Sequence, residues 1–377
     1  MKKHIIQILF IISFFTFLCS CNIKTQNKAG LYTYEGEYIS WEKLCSKGYF
    51  YINDNILKNV WYSSDSNVIP NGKLVLPDTI NVIGKGAFEN HQKWEFEIFI
   101  PNTVTTIESR AFINCFNLKG VEFEENSQLK SIESLSFLAV HSMKKLFIPK
   151  SVDYIDKYAF GYGLSGSLEE IIVEEGNTKY DSRNNCNALI ETETDKIILG
   201  CENTIFPKDI KIIGEEAFYA SKIKNVNLHE LTKLHTIEGD AFTGCENIET
   251  IIFPDSLKII KPAFKACLNL KTIVFPKSLI LDYSNGYSFD IGRIDKICNI
   301  VLPETITPYL VMSIEEIMHN DVENLNLYNV TDEDISQWFY YIKISDNNYY
   351  YFGYRNKISI FNQNEWSYVN GTPTPIV

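Results

Sequence analysis

Apolar residues recur along this chain in one repeated pattern between residues 74 and 303. Each copy is an apolar run that ends in Pro, and an Ala-Phe pair follows ten positions later, as in residues 98–101 with Ala111 and Phe112. The repeat length is about 23 residues, and a fixed period of this size predicts a solenoid of stacked coils. The second residue of the pair recurs at Phe88, Phe112, Phe160, Phe218, Phe242 and Phe264, with Ser136-Phe137 as a variant.

Aligned on the Pro, the copies share a strand template. It reads apolar, two variable residues, apolar, one variable residue, apolar, Pro, as in Met143, Leu146 and Ile148. The last two apolar positions alternate with a variable one, which is the period of a half-buried strand. Ten such strands at roughly 4.8 Å predict a parallel sheet about 45 Å long. The repeated Phe is expected to fill the interior of its coil.

A family resemblance is carried by residues 270–279 and 210–218, and by the 58-residue gap between Phe160 and Phe218. The gap holds a segment, residues 180–201, that resembles an insert typical of BspA-like bacterial leucine-rich-repeat proteins. The resemblance covers about 230 of the 377 residues. It implies an α/β-type leucine-rich-repeat solenoid with a parallel sheet, a hairpin insert and non-repeat caps at both ends. It also implies extracellular binding or adhesion.

The repeat and its limits predict the domain organisation. The expected segments, in chain order, are a lipoprotein signal peptide (1–20), a lipid-anchored tether (21–30), an N-terminal cap (31–70), a leucine-rich-repeat solenoid (71–303) with its hairpin insert at about 180–201, and a C-terminal cap or aromatic segment (304–377).

The first residues predict a lipid anchor. Lys2 and Lys3 precede a largely apolar stretch, residues 5–18, which is too short for a membrane span of roughly 20 residues. The stretch ends in residues 18–21, Leu-Cys-Ser-Cys, which resembles a lipobox with Cys21 as the lipidated first residue of the mature chain. An ordinary secretory signal is the alternative. The anchor predicts attachment to a membrane of the bacterial envelope. The BspA-like resemblance implies the outer membrane, with the cell surface favoured over the periplasm.

Charge and motifs exclude several functions. The formal net charge is −12, and removal of the two positive charges at Lys2 and Lys3 makes it −14, so nucleic acid is not an expected partner. The sequence has no His-Glu-x-x-His, Gly-x-Ser-x-Gly or Cys-x-x-Cys motif. We therefore predict neither an enzyme nor a cofactor or metal site.

The cysteines fall into two sets. Cys115, Cys245 and Cys267 each follow the repeated Phe by three residues, which indicates a structural place at a tight coil corner. Cys186 and Cys201 flank the predicted hairpin and are a possible disulfide in an oxidising envelope. Cys201 also fits the first apolar position of its own strand, so a core role is the alternative.

The variable residue between the last two apolar positions of each strand should point away from the core. Eight of these ten residues are apolar, where a solvated face favours polar ones. The alternatives are plain strand propensity, or cover by a C-terminal segment that folds back. The ten are Val75, Phe99, Glu122, Phe147, Ile172, Ile205, Asn227, Ile252, Val274 and Val301, of which we predict Phe99, Phe147, Ile172, Ile205, Ile252 and Val274 as a partner-binding surface.

A second aromatic set lies near the C-terminus, in residues 338–341 and 349–354. Tyr-rich strands stack on sugars or bind proteins, and they also close the open end of a solenoid. Together these features predict a non-enzymatic envelope lipoprotein that binds a protein or glycan ligand. The BspA-like resemblance implies that it is an adhesin or host-matrix binder. The alternative is a periplasm-facing structural or scaffolding lipoprotein, because residues 22–28 are basic and hold no acidic export signal.

Overall fold

The computed structural model describes residues 28–58, 71–277, 280–281, 299–304, 324–328, 330, 341–345, 348–351, 357–361, 366–369 and 372–376. Cys21, the predicted lipidation site, lies outside these residues. Within them, no helix has both the length and the apolar character that a membrane span requires.

A small antiparallel unit closes the first end of the solenoid. Its elements are β1 (Gly30–Thr33), β2 (Tyr38–Ser40), α1 (Trp41–Ser46), β3 (Tyr51–Asn53) and β4 (Ile56–Lys58), followed by the first repeat strand β5 (Gly72–Val75). The Ser40 side chain accepts a hydrogen bond from the Lys43 amide and so caps α1. β1 pairs antiparallel with both β2 and β5, which protects the edge of the repeat sheet.

Each coil of the first half carries a strand on either side of a buried core. The longer strands form a front sheet, β5-β7-β9 and then β11-β13, and the two-residue strands continue from β4 as a back sheet, β4-β6-β8-β10-β12. Both are parallel. The repeat predicts the front sheet, whereas the back sheet of short strands was not predicted. The elements are β6 (Val82–Ile83), β7 (Phe96–Ile100), β8 (Thr106–Ile107), β9 (Leu118–Phe123), β10 (Ser131–Ile132), β11 (Lys145–Ile148), β12 (Tyr154–Ile155), α2 (Leu164–Ser167) and β13 (Glu170–Val173).

The repeated Phe side chains fill the core, as the sequence predicts. All seven are buried. Phe88 stacks on Phe112 with 4.9 Å between ring centroids, and Phe218 stacks on Phe242 at 5.0 Å. These spacings match the distance between neighbouring strands, so the rings stack from coil to coil from Phe88 to Phe160 and again from Phe218 to Phe264.

The corner cysteines are structural. Cys115, Cys245 and Cys267 are fully buried, and each thiol donates a hydrogen bond to the carbonyl of the repeated Phe of the preceding coil, at 2.9, 3.0 and 3.3 Å. Burial raises the pKa of all three thiols, that of Cys267 to about 12, so they stay protonated. They are therefore inert donors rather than nucleophiles.

The predicted hairpin insert is present. β15 and β16 pair antiparallel from Ala188 with Gly200 to Glu191 with Lys196, and β16 then joins the back sheet by pairing with β17. Arg183 holds the insert in place, because its guanidinium contacts Asp181, Asp195 and Asp209 at 2.6–2.8 Å. The elements are β14 (Tyr180–Asp181), a 3₁₀ turn (Arg183–Asn185), β15 (Ala188–Glu191), β16 (Lys196–Gly200) and β17 (Ile212–Ile213).

Beyond the insert the back sheet is continuous and the front sheet resumes only at β19. The template predicted front strands ending at Phe206 and Leu228, and both predictions are wrong. Residues 201–207 form no strand, because the Thr204 hydroxyl bonds the Asn187 carbonyl and the Cys201 amide. The second segment is a 3₁₀ turn (Leu228–Glu230). The strands are β18 (Thr236–Ile237), β19 (Thr250–Ile252), β20 (Ile259–Ile260), β21 (Thr272–Val274), β22 (Ile280–Leu281) and β23 (Asn299–Val301).

The front sheet continues past residue 303. β24 pairs parallel with β23, and β27 pairs parallel with β24. Two hairpins, β25-β26 and β28-β29, accompany them. The strands are β24 (Asn324–Tyr328), β25 (Tyr341–Ser345), β26 (Asn348–Tyr351), β27 (Lys357–Phe361), β28 (Trp366–Val369) and β29 (Thr372–Pro375). The fold is therefore a β-solenoid with two short α-helices in the described residues, which makes the α/β label a loose one.

Candidate partner-binding face

The candidate face is the outer surface of the front sheet. On each front strand the flanking residues point into the core and the residue between them points outward, as in buried Ile98 and Ile100 on either side of half-buried Phe99. Register keeps these outward residues in one column, because Val75 pairs with Phe99 and Phe99 pairs with Glu122. We call this column the outer stripe. Val75 lies at its first end, where β1 joins the sheet, and is buried.

The next part of the outer stripe is open to solvent. Phe99, Phe147 and Ile172 are half-buried on β7, β11 and β13, and Glu122 is exposed between them. Ile205 lies on a loop rather than a strand and is 69% exposed. We call Phe99, Glu122, Phe147, Ile172 and Ile205 the open half. Its partly exposed apolar residues are of the kind that mark interaction sites.

An ion pair lies across the first aromatic residue of the open half. Lys73 on β5 and Glu122 on β9 flank Phe99 on the strand between them, and their charged groups meet at 2.6 Å. The Lys73 ammonium lies 5.7 Å from the centre of the Phe99 ring. Phe99 is therefore bordered by a partly solvated ion pair, and pairs of this kind contribute little stability.

Charges beside the open half neutralise one another between neighbouring coils. Lys119 pairs with Glu95 at 2.7 Å. The adjacent Lys144 and Lys145 each pair with a glutamate of the next coil, also at 2.7 Å. These last pairs are Lys144 with Glu169 and Lys145 with Glu170. The apolar residues therefore dominate what this surface presents to a partner.

The C-terminal part of the outer stripe is covered by the chain itself. Val274, Val301 and Tyr328 form a separate buried cluster, and Ile252, Val330 and Trp366 pack against it. The Tyr328 hydroxyl bonds the Asn299 side chain at 3.1 Å, and the Tyr328 ring lies 5.3 Å from the Trp366 ring. We call Ile252, Val274, Val301 and Tyr328 the covered half.

The predicted binding role of Val274 therefore needs correction, because the side chain is only 7% exposed. Ile252 is half-buried against the same cluster and offers a partner little surface. A C-terminal cover is one of the alternatives that the sequence leaves open, but Trp366 is not predicted to be part of it. A signal for Trp366 in the sequence is its aromatic side chain beyond the repeats, close to Gly371 and Pro373.

A shallow polar groove separates the two halves. Asn227, which the template placed on a strand, is exposed and precedes the 3₁₀ turn, so the front sheet is interrupted here. The groove has a volume of about 280 Å³ and is lined by Lys224, Asn225, Val226, Asn227, His229, Asn247, Glu249, Thr250 and Ile252.

Cys186 and Cys201 are both buried, and the structure has them as free thiols rather than as a bridged pair. The Cys186 thiol lies 3.9 Å from the Ala188 carbonyl, and the Cys201 thiol lies 3.4 Å from that of Asn187. Burial raises the pKa of both, that of Cys186 to about 11. Each therefore has its own contacts inside the hairpin.

In the described residues, no three His, Cys, Asp or Glu side chains are grouped so that they could hold a metal ion. Part of the C-terminal aromatic set forms β25 and β26, which pair Tyr341 with Tyr351 and Ile342 with Tyr350. Residues 338–340 and 352–354 lie outside the description.

Comparison with known proteins identifies the repeat. The model of the BspA type leucine-rich repeat region matches six copies in residues 55–189 and 198–309, which is more than half of the chain. No curated protein matches the sequence.

Among solved structures, the chain is similar to the pneumococcal vaccine antigen PcpA, with 21% identity and a TM-score of 0.53 over 80% of this chain and 82% of that one. It is also similar to a leucine-rich cell surface protein from Faecalibacterium prausnitzii, with 18% identity and a TM-score of 0.39 over 77% and 94%. A leucine-rich-repeat protein from Bacteroides ovatus shares 20% identity and a TM-score of 0.32 over 77% and 83%.

The structural similarities concern the fold alone, whereas the repeat model fixes the family. Proteins of this family are non-enzymatic repeat scaffolds, typically bacterial surface proteins that serve binding or adhesion. The resemblance noted in the sequence is thereby confirmed, and the chain belongs to the BspA-type leucine-rich-repeat family.

Proposed function

We propose that this protein is an envelope lipoprotein that binds another macromolecule through the open half, as an adhesin or host-matrix binder. One observation carries the proposal: the mostly apolar outer stripe is buried by the chain at its C-terminal end and left partly open from Phe99 to Ile205. Contact of apolar side chains with water is unfavourable, so a partner that covers the open half would bind favourably there.

The chemistry of the open half favours a protein over a glycan as this partner. Ile172 and Ile205 are aliphatic and offer no flat ring on which a sugar could stack. Phe99 and Phe147 are aromatic anchors of the kind that dominate protein interfaces. The paired lysines beside them leave few free charges for a highly charged ligand.

The test is a double substitution, Phe99→Glu with Phe147→Glu, in a purified mature protein. We expect binding to the best ligand from a panel of host-matrix proteins and glycans to fall at least tenfold, because two anchors of roughly 1–2 kcal/mol each are lost. Leu268→Glu is the matched control, since Leu268 is exposed but lies outside the outer stripe. Equal losses in both variants would refute the assignment of the site.

The proposed anchor is the lipid on Cys21, which would hold the solenoid at the outer membrane. Cys21→Ala should move the protein from the membrane fraction to the soluble fraction, because stable attachment depends on the acyl chains. Cys19→Ala is the control and should leave the distribution unchanged. Membrane association that survives Cys21→Ala would contradict the proposal.

A periplasm-facing scaffold is the second candidate, and the basic run at residues 22–28 favours it. Protease treatment of intact cells distinguishes the two, with a periplasmic protein as the leakage control. Digestion of the solenoid supports the adhesin, and protection supports the scaffold.

A further inference from the structure

The hairpin insert brings together two coils that are distant in sequence. The Ser165 hydroxyl donates to the Gly200 carbonyl at 2.5 Å and contacts the Ala217 carbonyl at 3.3 Å. The coil that holds Tyr162 therefore packs against the coil that holds Tyr219, and the two rings lie 5.0 Å apart. This junction exists because the residues between them loop out as the insert.

The junction has an exposed surface of tyrosines and carboxylates, away from the outer stripe. Tyr162 is 49% exposed and Tyr158, four residues earlier, is 38% exposed. We call this surface the junction patch, and it comprises Tyr158, Tyr162, Glu215, Glu216, Tyr219 and Asp240.

One end of the junction patch already holds a cation from the chain itself. The Lys157 ammonium lies 4.1 Å from the centre of the Tyr158 ring. The same ammonium lies 3.7 Å from a Glu215 carboxylate oxygen. An aromatic face and a carboxylate thus bind one amine together, which is the arrangement that favours lysine and arginine side chains.

The other end carries negative charge without such a cation. Glu216 and Asp240 form no ion pair with the described part of the chain. Burial raises the pKa of Glu216, and the Glu216 carboxylate beside the Tyr162 hydroxyl raises the pKa of Tyr162 to about 12. The surroundings of Glu216 disfavour the charged form of its carboxylate, so a cation that binds beside it stabilises that form.

We propose that the junction patch binds a basic segment of a partner protein, with a lysine or arginine side chain against Tyr162 and Glu216. Charge complementarity and the Lys157 contact at the neighbouring tyrosine argue for this occupant. A glycan fits less well, because the Tyr162 and Tyr219 rings meet at 83° and form no common platform for a sugar ring.

The experiment uses fluorescence anisotropy of a labelled peptide of about six arginines and the full mature chain. We expect Tyr162→Ala with Glu216→Gln to weaken binding about tenfold, because a cation–π contact and a carboxylate are lost together. Tyr51→Ala with Glu193→Gln is the matched control, since both residues are exposed elsewhere and the charge change is the same. The control should change binding less than about twofold.

Equal weakening by both double variants would overturn the proposal, because it would show general attraction to an acidic protein. Binding of a neutral oligosaccharide to the patch, with no binding of the peptide, would overturn it as well. The variant with Phe99→Glu and Phe147→Glu should keep peptide binding, so this result is independent of the proposed function. Circular dichroism of each variant confirms that the fold is retained.

Discussion

The open half and the covered half of the outer stripe are built mostly from apolar residues, but they differ in their exposure to solvent. Phe147 and Ile172 pair across β11 and β13 and stay half-exposed, whereas Val274 and Val301 pair across β21 and β23 and are buried. The difference lies in what reaches them from outside the repeats, since Trp366 packs on the covered half.

An apolar column on the sheet of a solenoid can contribute to folding or to binding. Which of the two it does depends on whether another part of the chain packs on it. The covered half satisfies its apolar surface within the chain and contributes to folding. In the described residues, a partly solvated ion pair, Lys73 with Glu122, lies beside the first aromatic residue of the open half. Its surface is therefore available for binding.

The largest expected effect separates the two halves by stability. Val301→Glu should lower the free energy of unfolding by about 3 kcal/mol or more, because it buries a charge with no partner. Ile205→Glu, the matched change in the open half, should change it by less than about 0.5 kcal/mol. Urea denaturation measures both, and similar losses in the two variants would remove the distinction between the halves.

A smaller effect is expected from removal of the cover. Trp366→Ala should reduce the free energy of unfolding by about 2 kcal/mol, because Tyr328 and the valines beneath it lose apolar contact. The newly exposed surface should also increase the fluorescence of a hydrophobic dye such as ANS. Tyr51→Ala serves as the control, and a wild-type response in both measurements would contradict the cover.

The smallest effect concerns Arg183, which holds the insert between the two halves. The pKa of Asp181 is raised by burial, but hydrogen bonds from Arg183 outweigh this and hold it below its ordinary value. Lys211 and then Arg183 lower the pKa of Asp195. Arg183→Met should therefore reduce stability at pH 7 by about 1 kcal/mol, since the ion pairs are partly solvated.

The pH dependence follows from the same lowered pKa values. A carboxylate with a depressed pKa in the folded state stabilises the fold above its unfolded pKa of about 3.9 and loses this contribution as pH falls through its folded pKa. Wild-type stability should therefore fall on acidification below about pH 4, and less steeply in Arg183→Met. Urea midpoints at neutral and acidic pH test this, and parallel curves would contradict it.

The core could be predicted from the sequence because its signal is local and repeated. The spacing of the Phe residues predicts the stacked interior, and the long gap before Phe218 predicts the insert. Both follow from a fixed number of residues per coil, which the stacking of strands imposes.

The distinction between the two halves could not be predicted, because it depends on contacts between residues far apart in sequence. Val274 and Ile172 look equivalent in the repeat, and in the described residues the packing of Val330 and Trp366 on the cluster of Val274 separates them. The interruption at Asn227 was missed for a different reason. The Asn fits a variable position, but its backbone there leads into a 3₁₀ turn instead of a strand.

The central claim is that the open half contacts another macromolecule in the cell. Site-specific photo-crosslinking in intact cells tests it most directly, with the crosslinking residue at Phe99, Phe147, Val301 or the exposed Lys208. We predict intermolecular adducts from Phe99 and Phe147, and none from Val301 or Lys208. The absence of adducts at Phe99 and Phe147, or equal adducts at Lys208, would contradict the claim.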